Sequence, residues 1–145
     1  KGATSTIDRR AGFMEVMGQA KVIKVKESNA AAYSFEAGRT AMLKELKGTH
    51  AEAYFCGDDV MSIGALSAIN SSGLSAPTDI GIIGLNDMEM AKWENIDLTT
   101  IRQPIKQIVD SSVELVMAAL EDSNRHPEAR LFSCQVIERG TLRPL

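Results

Sequence analysis

The chain has 145 residues, 44% of them hydrophobic and 24% charged, which is enough for one domain with a real core and unlike a disordered segment. The net charge of −3 and pI of about 5.4, with no Lys/Arg-rich run, argue against a chain that grips a nucleic-acid backbone by itself. No apolar run reaches the roughly 18 residues of a membrane span, no signal-peptide pattern opens the chain, and two cysteines make no disulfide framework.

In chain order, Lys1 to Thr4 carries no pattern. A helix is expected from Ser5, capped by Ser5 or Thr6, with Asp8 favouring its dipole and Ile7, Ala11, Met14, Val16 and Met17 at helical spacing. Lys21 to Lys26 alternates through Val22, Ile23 and Val25 and predicts a strand. Ser28 to Ser34 is a loop, and Phe35 to Leu46 is a helix stopped by Gly48. A strand over Ala51 to Cys56 ends at Gly57-Asp58-Asp59, where one of the two acids caps a helix running to Ser72. A turn through Ala76-Pro77-Thr78 leads into a second apolar run, Ile80 to Leu85, which stops at Asn86-Asp87. Asp87 to Ile96 is irregular and holds the one tryptophan, Trp93; Leu98 to Ile101 is a short strand. Pro104 opens a long helix whose apolar face is Ile105, Ile108, Val109, Val113, Val116, Met117 and Leu120. Ser123 to Glu128 is a loop, and Leu131 to Leu142 holds one or two strands. Cys56 and Cys134 fall in predicted strands and read as small buried hydrophobes.

The two central runs are apolar without clean alternation, as in parallel strands buried on both faces, and the crossover between them is a helix. The expected fold is therefore α/β, a doubly wound, mostly parallel sheet with helices on both faces. Ligands of such sheets bind outside the carboxyl ends of the strands. Asp58 and Asn86 each stand at the end of a run, Arg9 in the first turn of the first helix, and Tyr33 in the loop after the Lys21 to Lys26 strand, so all four are candidates for one rim. Arg9 could fork hydrogen bonds onto a ligand or be a surface neighbour of Arg10. Tyr33 could stack on a ring or pack on the next helix. Asp58 could cap its helix and Asn86 could form a turn, with or without a ligand role.

No chemistry of bond breaking is visible. His50 and His126 stand in loops apart from any cluster with metal-ligand spacing, so neither metal nor cofactor is expected. Gly81 and Gly84 lie inside an apolar run and lack the context of a dinucleotide loop, and there is no Gly-x-Ser-x-Gly elbow. A small α/β hydrolase or dehydrogenase would need a nucleophile or cofactor loop at this rim. The chain reads as a binding module and not as an enzyme.

Several segments resemble the lactose/galactose-repressor family of bacterial transcription regulators. They are Arg9-Arg10-Ala11-Gly12-Phe13, Tyr33 before Glu36-Ala37-Gly38, Phe55 to Ala65, Gly73 to Gly84, and Leu98-Thr99-Thr100-Ile101-Arg102-Gln103-Pro104, in order and at family spacing from about Ser5 to Leu142. The resemblance implies the C-terminal part of a periplasmic-binding-protein-like effector domain. In that family two lobes close on a small molecule, often a sugar, sugar acid or nucleoside-type ligand, and shift a dimer's affinity for operator DNA. By position Arg9, Tyr33, Asp58 and Asn86 match the effector contacts. Asn86 replaces an aspartate that in many members takes hydroxyl hydrogens; an amide both donates and accepts, which implies room for a carboxylate or amide group on the effector.

The resemblance also implies the division of the chain. Residues 1–101 and 131–142 would form the C-terminal lobe, while the 104–121 helix would belong to an N-terminal lobe that these residues lack, as they lack a DNA-binding domain. That helix would then expose its stripe, and a homodimer or other self-association is expected. A cytoplasmic location follows for a regulator. A lobe of a periplasmic solute-binding protein is the alternative.

Overall fold

The computed structural model describes residues 4–20, 24–122 and 124–143. Its elements in order are α1 (Thr4–Gln19), α2 (Phe35–Glu45), β1 (Ala53–Phe55), α3 (Asp59–Ser71), β2 (Gly81–Leu85), a 3-10 turn (Glu89–Lys92), β3 (Thr100–Arg102), α4 (Ile105–Glu121) and β4 (Gln135–Ile137).

Four strands form one sheet in the order β1-β2-β3-β4. β1 runs parallel to β2 with Tyr54 opposite Ile82, and β2 runs parallel to β3 with Leu85 opposite Ile101. β4 pairs antiparallel to β3, with Val136 opposite Ile101. The expected mostly parallel α/β sheet is thus present, with its antiparallel member at one edge. The Leu131 to Leu142 segment gives a single strand among the described residues.

The core lies between the sheet and α2–α3. Ile69, Ile80, Ile82 and Leu98 are fully buried, joined by Met42, Ala65 and Leu66. Burial of each Ile, Leu or Met among them contributes about 1.5–3 kcal/mol. Side chains alternate along a strand. Tyr54 packs toward this core, while its neighbour Phe55 stacks on Phe13 of α1, ring centroids 5.6 Å apart. That places α1 on the sheet face opposite α2 and α3, so helices cover both faces.

The expected strand over Lys21 to Lys26 does not form in the part described: residues 24–26 are irregular, and residues 21–23 lie outside the described residues. The first helix starts at Thr4, so Ser5 and Thr6 sit inside its first turn and do not cap it. It buries no residue completely; Ile7 and Val16 face solvent, against the inward face that their spacing predicts. Cys134 is exposed just before β4, contrary to its reading as a buried hydrophobe. Cys56 follows β1, and burial pushes its thiol up to about 11, which leaves it an inert packing group.

α4 is the outlier. Only Ser111 is buried in it, while Ile105, Val109, Val113, Val116, Met117 and Leu120 are all more than half exposed. The segment after it returns along its side, where Arg130 donates to Ser111 Oγ and Glu114.

Candidate functional site

Arg9 stands in the second turn of α1, one turn later than expected, and its side chain reaches the end of β1. Arg9 Nη1 donates to the Gly57 carbonyl at 2.5 Å and its Nε to the Ser5 carbonyl at 2.9 Å. One turn earlier, Thr6 Oγ1 and the Tyr33 hydroxyl share a 2.7 Å hydrogen bond. Gly57 is the floor beneath both. A Cβ there would stand 3.4 Å from the Tyr33 ring and 3.9 Å from Arg9 Nη1, so a larger residue would crowd the pair.

Asp58 is the N-cap of α3. Its Oδ1 accepts from the Val60 N–H at 2.7 Å, which satisfies one of the open donors at the helix start. Its Oδ2 accepts from Asn86 Nδ2 at 2.9 Å. Asn86 stands at the end of β2 with φ of 112°, followed by Asp87 at 53°. Asn and Asp tolerate these left-handed angles best among residues with a Cβ. The reversal turns the Asn86 amide back across the strand ends, where Gln103 Nε2 donates to Asn86 Oδ1 at 2.6 Å.

Two further acids hold this turn in place. Asp59 is fully buried; it accepts from Thr100 Oγ1 at 2.5 Å and from the Met88 N–H at 2.7 Å. Burial, with Asp58 and Asp87 nearby, pushes its carboxyl above the usual range, and the two hydrogen bonds only partly offset that. Asp87 receives Arg102 at 2.6 Å and Arg139 at 2.7 Å. Burial works against its charge, but the two guanidinium groups outweigh burial and hold the carboxyl below the usual range.

All four side chains singled out in the sequence therefore meet at one rim. Arg9, Tyr33 and Gly57 form one end; Asp58 and Asn86 form the other. Gln103, not among the four residues expected from the sequence, joins them: it follows β3 as Asn86 follows β2, and the end of an apolar run is the signal that marks both. A separate recess of about 540 Å³, lined by residues such as Ile63, Asn70, Glu94 and Gly140, shares no residue with this rim. Among the described residues no group of three or more His, Cys, Asp or Glu is placed to hold a metal ion. No helix among them is long and apolar enough to cross a membrane.

The arrangement is one of hydrogen-bond donors and acceptors with an aromatic at one end, lacking a nucleophile beside a base. Residues 1–142 match the periplasmic binding protein-like domain family. A transcriptional repressor named PurR from Escherichia fergusonii is 35% identical over 137 residues, which are 92% of this chain and 40% of the repressor. A LacI-family transcriptional regulatory protein from Corynebacterium glutamicum is 30% identical in structure-based alignment, with a TM-score of 0.79 over 94% of this chain and 53% of that one. A Lac repressor dimer bound to operator and an anti-inducer is 26% identical, with a TM-score of 0.84 over 95% of this chain and 48% of that one. The chain thus spans well under two thirds of these relatives. They are repressors and regulators, as the five segments led one to expect, and not enzymes. The chain belongs to the periplasmic binding protein-like domain family, and among the proteins it resembles are LacI-type regulators.

Proposed function

We propose that the chain is the effector-sensing region of a bacterial DNA-binding transcription regulator, and that Arg9, Tyr33, Asp58 and Asn86 bind a sugar or sugar-like effector. The observation that carries this reading is convergence. Polar side chains from α1, the Tyr33 loop, the β1–α3 junction and the end of β2 meet where the parallel strands finish. Relatives named as repressors favour a cytoplasmic regulator over a transport protein. The mechanism is a population shift: the effector prefers one lobe geometry and thereby changes the affinity of a dimer for operator DNA. Operator DNA is engaged through a domain outside these residues, in keeping with the net charge of −3.

In this reading residues 1–101 and 131–142 form one lobe, and the 104–121 helix seats its stripe in a second. A thermal-shift screen of sugars, sugar acids and nucleosides on the full-length protein tests the site. Arg9→Ala should weaken a hit by roughly ten- to a hundredfold, as for a hydrogen bond to a charged group. Asn86→Ala should weaken it about tenfold. Hits unchanged by both substitutions would remove these residues from the pocket.

The α4 stripe makes its own prediction. The 145-residue chain alone should self-associate in light scattering, because six large apolar side chains lie exposed along one helix. Val113→Lys with Leu120→Lys should shift it toward monomer. A monomeric profile for the unsubstituted chain would count against the division into lobes.

A further inference from the structure

Asn86 and Asp87 are consecutive residues with φ of 112° and 53°, and neither is a glycine. Residues with a Cβ enter this region at a cost, so the turn persists only where its surroundings hold it. Part of the hold is on the backbone. The Asp87 N–H donates to Thr100 Oγ1 at 3.4 Å, and the Met88 N–H to Asp59 Oδ2 at 2.7 Å. The rest falls on the Asp87 carboxylate, whose side chain is only 4% exposed and whose two oxygens are both taken by arginines. It is therefore no free acceptor for an effector, and it acts on the rim through its neighbour Asn86.

The two arginines differ. Arg102, at the end of β3, is 47% exposed, and among the described residues it donates to Asp87 alone. Water and salt screen such a pair, which leaves it worth little. Arg139 is 13% exposed and is fixed along its length. Its N–H donates to Thr99 Oγ1, and its carbonyl accepts from the same hydroxyl, each at 2.9 Å. Its Nη1 donates to the Leu98 carbonyl at 2.8 Å and its Nη2 to Asp87 Oδ1 at 2.7 Å. Removing one side of a shielded pair leaves the other charge buried without its partner. Arg139 also stands two residues past β4, on the segment by which the chain comes back to this lobe in the division given above.

Building on the effector-sensing reading above, we propose that Arg139 is a positioning residue for the effector site: acting through Asp87, it holds the Asn86–Asp87 turn, and with it Asn86, from the returning strand. Arg139 touches neither Asn86 nor an effector. Its guanidinium is seated on the backbone that leads into β3, so Asn86 keeps its place relative to both β3 and β4.

Hydrogen–deuterium exchange, read by mass spectrometry on the full-length protein without effector, compares a peptide over 86–91 with one over 62–71 in α3. The Asn86, Met88 and Ala91 N–H groups are bonded to the Ile101 carbonyl, Asp59 and the Met88 carbonyl, so opening of the turn exposes them. Arg139→Met should speed exchange over 86–91 about tenfold or more and leave 62–71 within about twofold. Arg139→Lys keeps the charge but loses the fork, and should recover most of the lost protection. Arg102→Met should change 86–91 by less than about threefold. Arg139→Met combined with Asp87→Asn should exchange no faster than Asp87→Asn alone, since both remove the same contact. If Arg139→Met does not fold, Arg139→Lys and Asp87→Asn are read against Arg102→Met in the same peptides. Equal acceleration over both peptides would make the role of Arg139 merely structural and overturn the proposal. So would Arg102→Met matching Arg139→Met, or Arg139→Lys exchanging as fast as Arg139→Met. No effector enters these measurements, so such a result leaves the effector-sensing reading to the screen with Arg9→Ala and Asn86→Ala.

Discussion

Gly64→Ala should destabilise the fold by about 2 kcal/mol, and Gly64→Val by more. A Cβ at Gly64 would sit 2.1 Å from the Phe35 carbonyl oxygen and 2.9 Å from the Arg39 nitrogen. Both are backbone atoms of α2, so no side chain can swing aside. Across the same contact, a Cβ at Gly38 would meet the Met61 oxygen at 2.2 Å. The α2 and α3 backbones therefore touch at a glycine from each helix. Overpacking of this kind costs about 1–3 kcal/mol or more. Alanine regains up to about 1 kcal/mol of helix propensity, so the clash wins. Gly12→Ala is the control: nothing lies within 4 Å of its Cβ, it is helical, and the same gain should appear uncancelled. Urea unfolding of the three variants decides the point. Equal midpoints for Gly64→Ala and the parent chain would mean that the helices are not in backbone contact.

Asp59→Ala should cost about 3 kcal/mol. The substitution strands the buried Thr100 hydroxyl and the Met88 N–H, which Asp59 satisfies at 2.5 and 2.7 Å. Because Met88 follows the Asn86–Asp87 reversal, effector affinity should fall with stability. Asp59→Asn keeps an acceptor and should cost less. The pH dependence has a defined sign. The folded state raises the Asp59 pKa above its unfolded value, so its contribution is fully present below that unfolded value and declines as pH rises through the folded one. Asp87 has the opposite sign: its pKa is depressed, and its contribution is lost as pH falls. The difference between the parent and Asp59→Asn removes the part of the Asp87 titration that does not depend on Asp59. That difference should shrink between pH 4 and pH 7 in urea titrations. A difference that grows with pH would show Asp59 to be stabilised as the anion.

Burial of Asp59 also explains why the acidic pair at positions 58 and 59 divides its labour. The first caps α3 and faces the rim, where water screens it. The second points into the gap above Gly84, where a Cβ would meet its Oδ1 at 2.2 Å. Glycine in the middle of an apolar strand weakens that strand unless another group needs the room, and here a carboxylate fills it. The sequence marks the pair as a helix start; which acid turns inward depends on what stands across the gap.

What the residues alone determined is the strand–helix–strand unit from Ala53 to Leu85 and the rim at its carboxyl ends. Apolar runs of that length, broken at Asp58 and Asn86, have few ways to bury themselves, and parallel pairing with a helical crossover is the shortest. Tertiary structure decided the rest. The exposed face of α1, the antiparallel β4 and the bare stripe of α4 depend on which partner surface each element meets, and periodicity records only that a face is apolar. The orientation of the Asn86 amide is of the same kind: a side chain with a donor at one corner and an acceptor at the other takes its direction from Asp58 and Gln103, which only folding brings beside it.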